Sequence, residues 1–258
     1  LGRLDYASLS QQALMEMLID GISNREVICG SKDSPKELLE WPGIISSIEG
    51  EVSEFIWTKE RLKGSVNLEW LPSTTQKVFL YGNDLRGSLN LTCLANSLLE
   101  LTLSSNSFDG TIDLTKLPPK LHRLSVYQNR LGGSLHLESL PDGFMYLYLN
   151  DNKFVGEVNL TKFPESMSIL SIRSNDLSGT IDVTRLPGRM TCLYLNQNRF
   201  SGLTDFSKLP ISLNEFDVSD TNLEGVIVLA QPQRGFKARS SMVRILHGKF
   251  GTAVEIKE

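Results

Sequence analysis

The sequence predicts an α/β solenoid that is mostly β, because one short unit recurs along most of the chain. Asparagine occurs six times at intervals of 23 residues, and the same interval reaches Glu60 before the series and Thr221 after it. Leu or Phe stands two residues after each of these eight positions, and Gly stands four residues after each. A fixed period of this length indicates a fold of stacked repeats. The six asparagines are Asn83, Asn106, Asn129, Asn152, Asn175 and Asn198.

Each unit is predicted to begin with a short strand. Before Asn106, Leu101 and Leu103 alternate with polar residues, which is the period-two pattern of a strand with one buried face. Apolar residues occupy the same two places before the other five asparagines. We therefore expect neighbouring units to align their strands in one parallel sheet.

The repeated Asn is predicted to form hydrogen bonds with the backbone at the end of each strand. Its amide offers two donors and an acceptor, so a column of stacked Asn side chains can bridge backbone groups where the chain bends inward. An isolated buried Asn would be costly. The Leu or Phe that follows fills the interior, and the Gly permits a bend that a side chain would obstruct.

The second half of each unit is predicted to be a short extended segment on the outer side. Ile112 and Leu114 alternate with polar residues, and Leu117 and Pro118 close the unit. Proline recurs at this place in five other units. Because proline lacks an amide hydrogen and makes the turn rigid, a long outer helix is disfavoured.

The consensus of these units, LxxLxLxxNxFxG, resembles the leucine-rich repeat family over roughly residues 52–230. The resemblance is to the variant with a glycine and an extended outer segment, and it implies a curved right-handed superhelix with a concave parallel β-sheet. The stretch 40–57 is similar to the N-terminal cap of plant-type members. Glu40 and Ser46, or a near neighbour, stand where that cap usually has cysteines, so its extracellular disulfide is missing.

Residues 1–51 are predicted to form a helical and hairpin cap, since a solenoid must cover its open ends. Ser34 to Glu37 has the form of a capping box with proline at the first helical position, which predicts a short helix there. An earlier helix is predicted from apolar residues at helical spacing. The residues of its apolar face are Leu14, Met17, Leu18 and Ile22.

Residues 52–230 are predicted to hold about eight repeats, and residues 231–258 to form a C-terminal cap. Between Val226 and Val254 the chain has five basic residues and no Asp or Glu. One interpretation is an edge strand kept soluble by its charges. The other is a contact for an acidic protein or for RNA. The basic residues are Arg234, Lys237, Arg239, Arg244 and Lys249.

Composition argues against several classes of protein. The net charge is -4, and the chain outside its basic C-terminal segment is more acidic, so a general nucleic-acid groove is disfavoured. No segment approaches the ~18 consecutive apolar residues of a membrane span. The three cysteines, Cys29, Cys93 and Cys192, lie at unrelated repeat positions and do not suggest a disulfide framework. We therefore expect a cytoplasmic protein, with secretion as the alternative.

Two further features bear on that alternative. The tripeptide NLT at Asn90 and at Asn159 is an N-glycosylation acceptor if the protein is secreted. Other units have Asp113 and Asp182 at the same place, so an Asn-for-Asp change within the repeat also accounts for the motif. The chain begins at Leu1 without Met, which is compatible with removal of a leader or of a longer N-terminal region.

The sequence contains no recognisable catalytic or cofactor-binding motif. His122, His136 and His247 are dispersed, and no paired-cysteine zinc spacing, phosphate-binding loop or nucleophile elbow is present. The repeat period accounts for the glycines. We therefore predict no enzyme activity, no catalytic residue, no cofactor, no metal site and no small-molecule substrate.

Partner binding is the function that the pattern favours. Residues two, four and six places before each repeat position should project from the concave face, and five of the six tyrosines occupy these places. Tyr and Arg are enriched where proteins bind proteins, although Tyr also suits any half-exposed strand. Glu215 and Asp217 would give this face an acidic end that orients a partner. The predicted partner-binding residues are Phe79, Tyr81, His122, Arg123, Tyr127, Tyr146, Tyr148, Arg173 and Tyr194.

These features together predict a non-catalytic protein-binding module, acting as an adaptor or scaffold, that presents a concave aromatic and basic surface to a partner protein. A secreted or cell-surface ligand-binding receptor is one alternative. A structural subunit of a large ribonucleoprotein assembly is another, in which the basic C-terminal segment contacts RNA. Leucine-rich repeats serve many tasks, so the resemblance does not choose among these.

Overall fold

The computed structural model describes residues 6–230, 234–248 and 254–255. Two long sheets follow the chain, and consecutive units add one strand to each sheet in turn. The predicted fold class, an α/β solenoid that is mostly β, is confirmed. Lys249, one of the predicted basic residues, lies outside the described residues.

The first sheet contains the strands that precede the repeat positions. Its strands are parallel except for the hairpin that β1 (Ile44–Ser46) and β2 (Val52–Ile56) form at the front. Register partners along the middle of the sheet are 23 residues apart, as for Tyr146 and Ile169. In order, the strands are β1 (Ile44–Ser46), β2 (Val52–Ile56), β4 (Lys77–Phe79), β6 (Glu100–Thr102), β8 (Arg123–Ser125), β10 (Tyr146–Tyr148), β12 (Ile169–Ser171), β14 (Cys192–Tyr194), β16 (Glu215–Asp217) and β18 (Phe236–Lys237).

The second sheet contains the strands that follow the repeat positions. The extended outer segment therefore begins earlier than predicted: the strand is Ser107–Thr111, whereas Ile112 and Leu114 are buried outside any strand. In chain order its strands are β3 (Lys63–Gly64), β5 (Asp84–Ser88), β7 (Ser107–Thr111), β9 (Arg130–Gly133), β11 (Lys153–Gly156), β13 (Asp176–Gly179), β15 (Arg199–Leu203), β17 (Asn222–Leu229), β19 (Met242–His247) and β20 (Val254–Glu255).

Apolar side chains from both sheets fill the space between them. In one unit Leu101 of β6, Leu103 just after that strand and Phe108 of β7 are fully buried. Burying one such side chain stabilises the fold by about 1.5–3 kcal/mol. The same positions are buried in the neighbouring units, so one continuous core runs along the solenoid.

The chain turns from the first sheet to the second through a residue with left-handed backbone. It stands immediately before the repeat position, and in six consecutive units it is a residue other than glycine, with φ between 52° and 56°. Single left-handed residues of this kind persist when the surrounding structure fixes them. These residues are Ser105, Gln128, Asp151, Ser174, Gln197 and Asp220.

The front cap contains helix α1 (Gln11–Ile19), helix α2 (Glu26–Cys29) and the first two of three short 3-10 turns; the third turn lies in the first repeat unit. Ser10 caps α1 by accepting a hydrogen bond from the Ala13 amide at 3.2 Å. The predicted apolar face was partly wrong: Met15 and Ile19 are buried with Leu14 and Leu18, whereas Met17 is only half-buried. Ile22 is buried, but it lies beyond the end of the helix. The 3-10 turns are Tyr6–Ser8, Leu38–Glu40 and Leu68–Trp70.

The predicted capping box at Ser34 is wrong. No helix begins there, and the next turn is the 3-10 turn that starts at Leu38. The Leu38 amide donates instead to Oε1 of Gln12, at 2.6 Å. Contact with α1 therefore replaces the local capping that the sequence suggested.

The last described turn is shorter than the others. Asp217 of β16 pairs with Lys237 of β18, an interval of 20 residues instead of 23. Ser241 accordingly takes the place of the repeat residue: its Oγ donates to the Ala238 carbonyl, just as Thr221 Oγ1 donates to Val218, both at 2.7 Å. The solenoid thus continues beyond residue 230 with an altered period.

Candidate partner-binding face

Each of the six repeat asparagines ties together at least three backbone groups of two neighbouring units. Its Oδ1 accepts the amide hydrogen of the residue 21 places earlier, at 3.0–3.1 Å. Its Nδ2 donates to the carbonyls 26 and 3 places earlier, as Asn129 does to Leu103 and Val126 at 3.2 and 3.0 Å. The strands of the first sheet are therefore held in fixed register, which fixes the side chains on their outward face.

We call that outward face the tyrosine face; it consists of the residues two, four and six places before each repeat position. Eight of the nine predicted partner-binding residues occupy these places, and all eight are half-buried except Arg173, which is exposed. They are Phe79, Tyr81, Arg123, Tyr127, Tyr146, Tyr148, Arg173 and Tyr194. His122 is seven places before Asn129, so it lies outside this pattern; it is half-buried, and its Nδ1 has no hydrogen-bond partner among the described residues.

Tyrosines from alternate strands meet above a buried serine. Tyr81 and Tyr127 are separated by the strand that leads to Ser104, yet their ring centroids are 6.2 Å apart. Ser104 is completely buried, and its Oγ is 2.7 Å from Oγ of Ser125. Burial, followed by the contact with Tyr81, raises the pKa of Tyr127. Two aromatic rings therefore lie side by side on this part of the face.

A second serine is buried in the same setting. Tyr148 of β10 and Tyr194 of β14 flank Ser171 of β12, which is 4% exposed. Burial, and then the charges of Cys192 and Glu215, raise the pKa of Tyr194 to about 12. Tyr194 therefore stays protonated at neutral pH and can donate or accept a hydrogen bond.

Arg123 joins the aromatic residues to the charged ones. Its guanidinium carbon is 4.5 Å from the ring centroid of Tyr146 and 6.0 Å from that of Tyr148. Its Nε is 3.4 Å from a carboxylate oxygen of Glu100 on the preceding strand. Stacking on a ring and pairing with a carboxylate both restrict the side chain, so Arg123 presents its charge at a fixed place.

Charges alternate along the first four parallel strands at the position six places before the repeat residue. Lys77 lies between Glu54 and Glu100, and its Nζ is 3.0 Å from Glu54 Oε1. The hydrogen bond to Glu54, and then the charges of both carboxylates, raise the pKa of Lys77. The front of the tyrosine face is thus nearly neutralised within the chain.

The predicted acidic end of the face requires correction. Glu215 and Asp217 are on the tyrosine face, but β16 is not the last strand, because β18 follows and places Lys237 opposite Asp217. Lys237 is exposed, and none of the ion pairs between described residues includes it. The two carboxylates are therefore an acidic strip within the face.

Asn196 was not among the predicted partner-binding residues, but it lies on this face beside the acidic strip. Asn196 is 8% exposed, and its Oδ1 is buried without a hydrogen-bond partner in the described part of the chain. Because Asn196 is two residues before Asn198, the repeat pattern already assigns its position to this face. Its burial depends on neighbouring strands, and no sequence signal reports it.

Other parts of the molecule offer less for binding. Within the described residues, no three His, Cys, Asp or Glu side chains are grouped closely enough to hold a metal ion. A cavity of about 520 Å³ lies in the front cap, but Arg25 on its wall is already paired with Asp20, and Lys32 with Glu26. None of the described helices is both long and apolar enough to cross a membrane.

Both NLT motifs lie where the chain leaves the second sheet. Asn90 is exposed and Asn159 is half-buried. In each, the Asn Oδ1 accepts hydrogen bonds from both the amide and the hydroxyl of the Thr two places later, and Asp113 and Asp182 make the same two bonds in their own units. The structural role of this position is therefore served equally by Asn and Asp.

Comparison with known proteins identifies the fold. No protein-family model and no curated protein matches the chain, whereas 82 chains of known structure do. One is a plant ice-binding protein, with a TM-score of 0.67 at 19% identity over 90% of this chain and 86% of the other. Another is the leucine-rich repeat ectodomain of the Arabidopsis thaliana receptor kinase GASSHO1/SCHENGEN3 in complex with CASPARIAN STRIP INTEGRITY FACTOR 2, with a TM-score of 0.63 at 19% identity.

A third similar structure is the Arabidopsis receptor kinase HAESA with the peptide hormone IDA and the co-receptor SERK1, with a TM-score of 0.51 at 19% identity. The alignments cover 90% of this chain in both receptor cases, but only 33% of the GASSHO1/SCHENGEN3 chain and 50% of the HAESA chain. The chain therefore has the leucine-rich repeat fold, as the resemblance implied. The predicted cytoplasmic location gains no support, since the GASSHO1/SCHENGEN3 match is an ectodomain.

Proposed function

We propose that the chain is a non-catalytic protein-binding module and that its tyrosine face contacts a partner protein. The observation that carries this proposal is the cluster in which the Arg123 guanidinium lies over the rings of Tyr146 and Tyr148. The rings of Tyr81 and Tyr127 form a second aromatic pair on the same face. Rigid aromatic side chains provide large contact area at a low cost in conformational entropy, and Tyr and Arg are enriched in binding hot spots.

The fixed register of the face supports the same proposal. The Asn hydrogen bonds hold each strand in register. Ser104 and Ser171 are buried between the strands that carry the tyrosines. A surface that is already ordered loses little entropy when a partner binds. Two of the similar structures, those of HAESA and GASSHO1/SCHENGEN3, are complexes with IDA and with CASPARIAN STRIP INTEGRITY FACTOR 2.

Two cellular settings suit such a module. An intracellular adaptor or scaffold would use the face to hold another protein, and an extracellular receptor domain would use it to hold a ligand. The similar ectodomain structure and the exposed NLT motif at Asn90 favour the second setting. Glycan on Asn90 or Asn159 in protein from the native source would support it, and unmodified asparagines would favour the adaptor.

The proposal is tested with a partner recovered from the native cell by affinity purification on the whole chain. The double variant Tyr148→Ala with Arg173→Ala is expected to lower affinity for that partner at least tenfold while leaving the melting temperature nearly unchanged. The matched control is Arg130→Ala with Lys153→Ala, which removes two exposed cations from the second sheet. Equal affinity in the wild type and the Tyr148 variant, or an equal loss in the control, would count against the proposed face.

A further inference from the structure

The rear of the tyrosine face carries two carboxylates that have no ion-pair partner among the described residues. Glu215 and Asp217 project from the same side of β16 and are half-buried, and none of the ion pairs between described residues includes them. Asp217 Oδ1 accepts only the Ser219 amide hydrogen, at 2.9 Å. This differs from the front of the face, where Glu54 and Glu100 pair with Lys77 and Arg123.

Asn196 adds a second, independent observation at the same place. The backbone hydrogen bond from Gln197 to the Ser219 carbonyl keeps Asn196 in register beside the strand that carries the two carboxylates. Its side chain is 8% exposed, and Oδ1 lacks a donor within the described residues. Because an unpaired buried amide oxygen is costly, Asn196 would gain a hydrogen bond if its amide turned toward a donor of the partner.

We propose that Tyr194, Asn196, Glu215 and Asp217 form a subsite for a Lys or Arg side chain of the partner protein. This inference rests on the proposed function and specifies its chemistry. Lys and Arg carry only donors, and each of the four residues offers an oxygen acceptor. Tyr194, the register partner of Asp217, also offers a ring to which a cation is attracted.

Two nearby cations among the described residues do not fill this subsite. Arg173, which follows β12, pairs with Asp151 at 3.7 Å instead. Lys237 lies opposite Asp217 but is exposed and forms no ion pair among the described residues. An acidic partner residue would be repelled by the two carboxylates, so the subsite gives specificity as well as affinity.

The inference is tested without knowledge of the natural partner. The whole chain is used to select binders from a phage-displayed library of random peptides, and the selected peptides are synthesised for affinity measurement. We expect them to contain Lys or Arg, and replacing that residue with uncharged norleucine or citrulline should lower affinity at least tenfold. The protein variant Glu215→Gln with Asp217→Asn should bind the unmodified peptides with an affinity lowered by a similar factor. The two losses should not add when combined, because each removes the same contact.

The control variant is Glu224→Gln, which neutralises an exposed carboxylate on the second sheet of the same unit and should bind as the wild type does. If peptide binding needs Tyr148 and Arg173 but not Glu215 and Asp217, the basic subsite is overturned and the proposed function stands. If no peptide is selected, or if the selected peptides are insensitive to all these variants, both the subsite and the proposed function of the face are contradicted.

Discussion

Tyr81 and Tyr127 lie 46 residues apart in the sequence, yet their ring centroids are 6.2 Å apart. They belong to units that are not adjacent, and the small side chain of Ser104 in the unit between them leaves room for the rings to approach. Ser104 is completely buried, and its hydroxyl meets that of Ser125. The face that we propose as a binding surface is thus built from alternating large and small residues.

The serine pair beneath the rings should behave as one unit. Removing one hydroxyl leaves the other buried without a partner, so Ser104→Ala or Ser125→Ala alone should lower the free energy of unfolding by about 1–3 kcal/mol. The double variant should lose clearly less than the sum of the two. Urea denaturation of the four proteins measures this coupling, and Ser88→Ala, on the exposed surface of the second sheet, is the control. Simple additivity would show that the two hydroxyls are independent.

The Asn column should contribute directly to stability. Asn129→Ala leaves the Phe108 amide without its side-chain acceptor and removes one of the two side-chain hydrogen bonds to the Leu103 carbonyl, so we expect a loss of about 1–3 kcal/mol in the free energy of unfolding. Asn129→Thr should lose less, because Thr221 already occupies the equivalent position and bonds to Val218. Asn222→Ala, at an exposed position, should be neutral. Equal stability of the wild type and Asn129→Ala would refute the role of the column.

Alanine substitutions at three glycines distinguish the cost of backbone strain from the cost of steric overlap. Gly143 has open space and a φ outside the left-handed region, so Gly143→Ala should change stability by no more than about 0.5 kcal/mol. Gly156 has open space but a φ of +86°, so Gly156→Ala should lose about 1–2 kcal/mol. Gly64 has a φ of +101°, and a Cβ there would lie 2.1 Å from the Gly21 carbonyl oxygen. Gly64→Ala should therefore lower the stability most of the three. Any other order in thermal melts would contradict this geometry.

Tyr194 should titrate later than an ordinary tyrosine. Its pKa is raised from 10.0 to about 12, chiefly by burial, so the folded state holds this proton more tightly than the unfolded state does. The resulting stabilisation is present below about pH 10 and is lost as the pH rises through about 12. The difference in tyrosinate absorbance between wild type and Tyr194→Phe should therefore develop near pH 12. A difference that develops near pH 10, in protein that circular dichroism shows to be folded, would mean that Tyr194 is not shielded from water.

The repeated part of the fold was predictable because each unit contains the same sequence pattern. Leu101, Leu103 and Asn106 recur every 23 residues, so the buried positions and the outward face followed from counting. The second sheet was harder to predict. Its strand Ser107–Thr111 is short, polar and rich in small residues, and its pairing depends on neighbouring units that hold it extended.

The ends and the finer features of the face were not predictable for a different reason. The Ser34 capping box failed because Gln12 of α1 bonds to the Leu38 amide, a contact between residues 26 places apart. The burial of Ser104 and of Asn196 depends on side chains from other units. Short-range patterns carry no information on such contacts. The repeat period therefore predicted the eight face positions, but it did not predict the acidic strip within the face or its unpaired amide.

The central claim, that a partner docks on the tyrosine face, is tested most directly by site-specific photo-crosslinking. A photoreactive amino acid is placed at Tyr148 on the first sheet or at Val155, which is exposed on the second sheet, and each chain is irradiated with the partner recovered by affinity purification. We predict a covalent adduct from position 148 and none from position 155. Adducts from position 155 alone would show that the partner binds the opposite side of the solenoid.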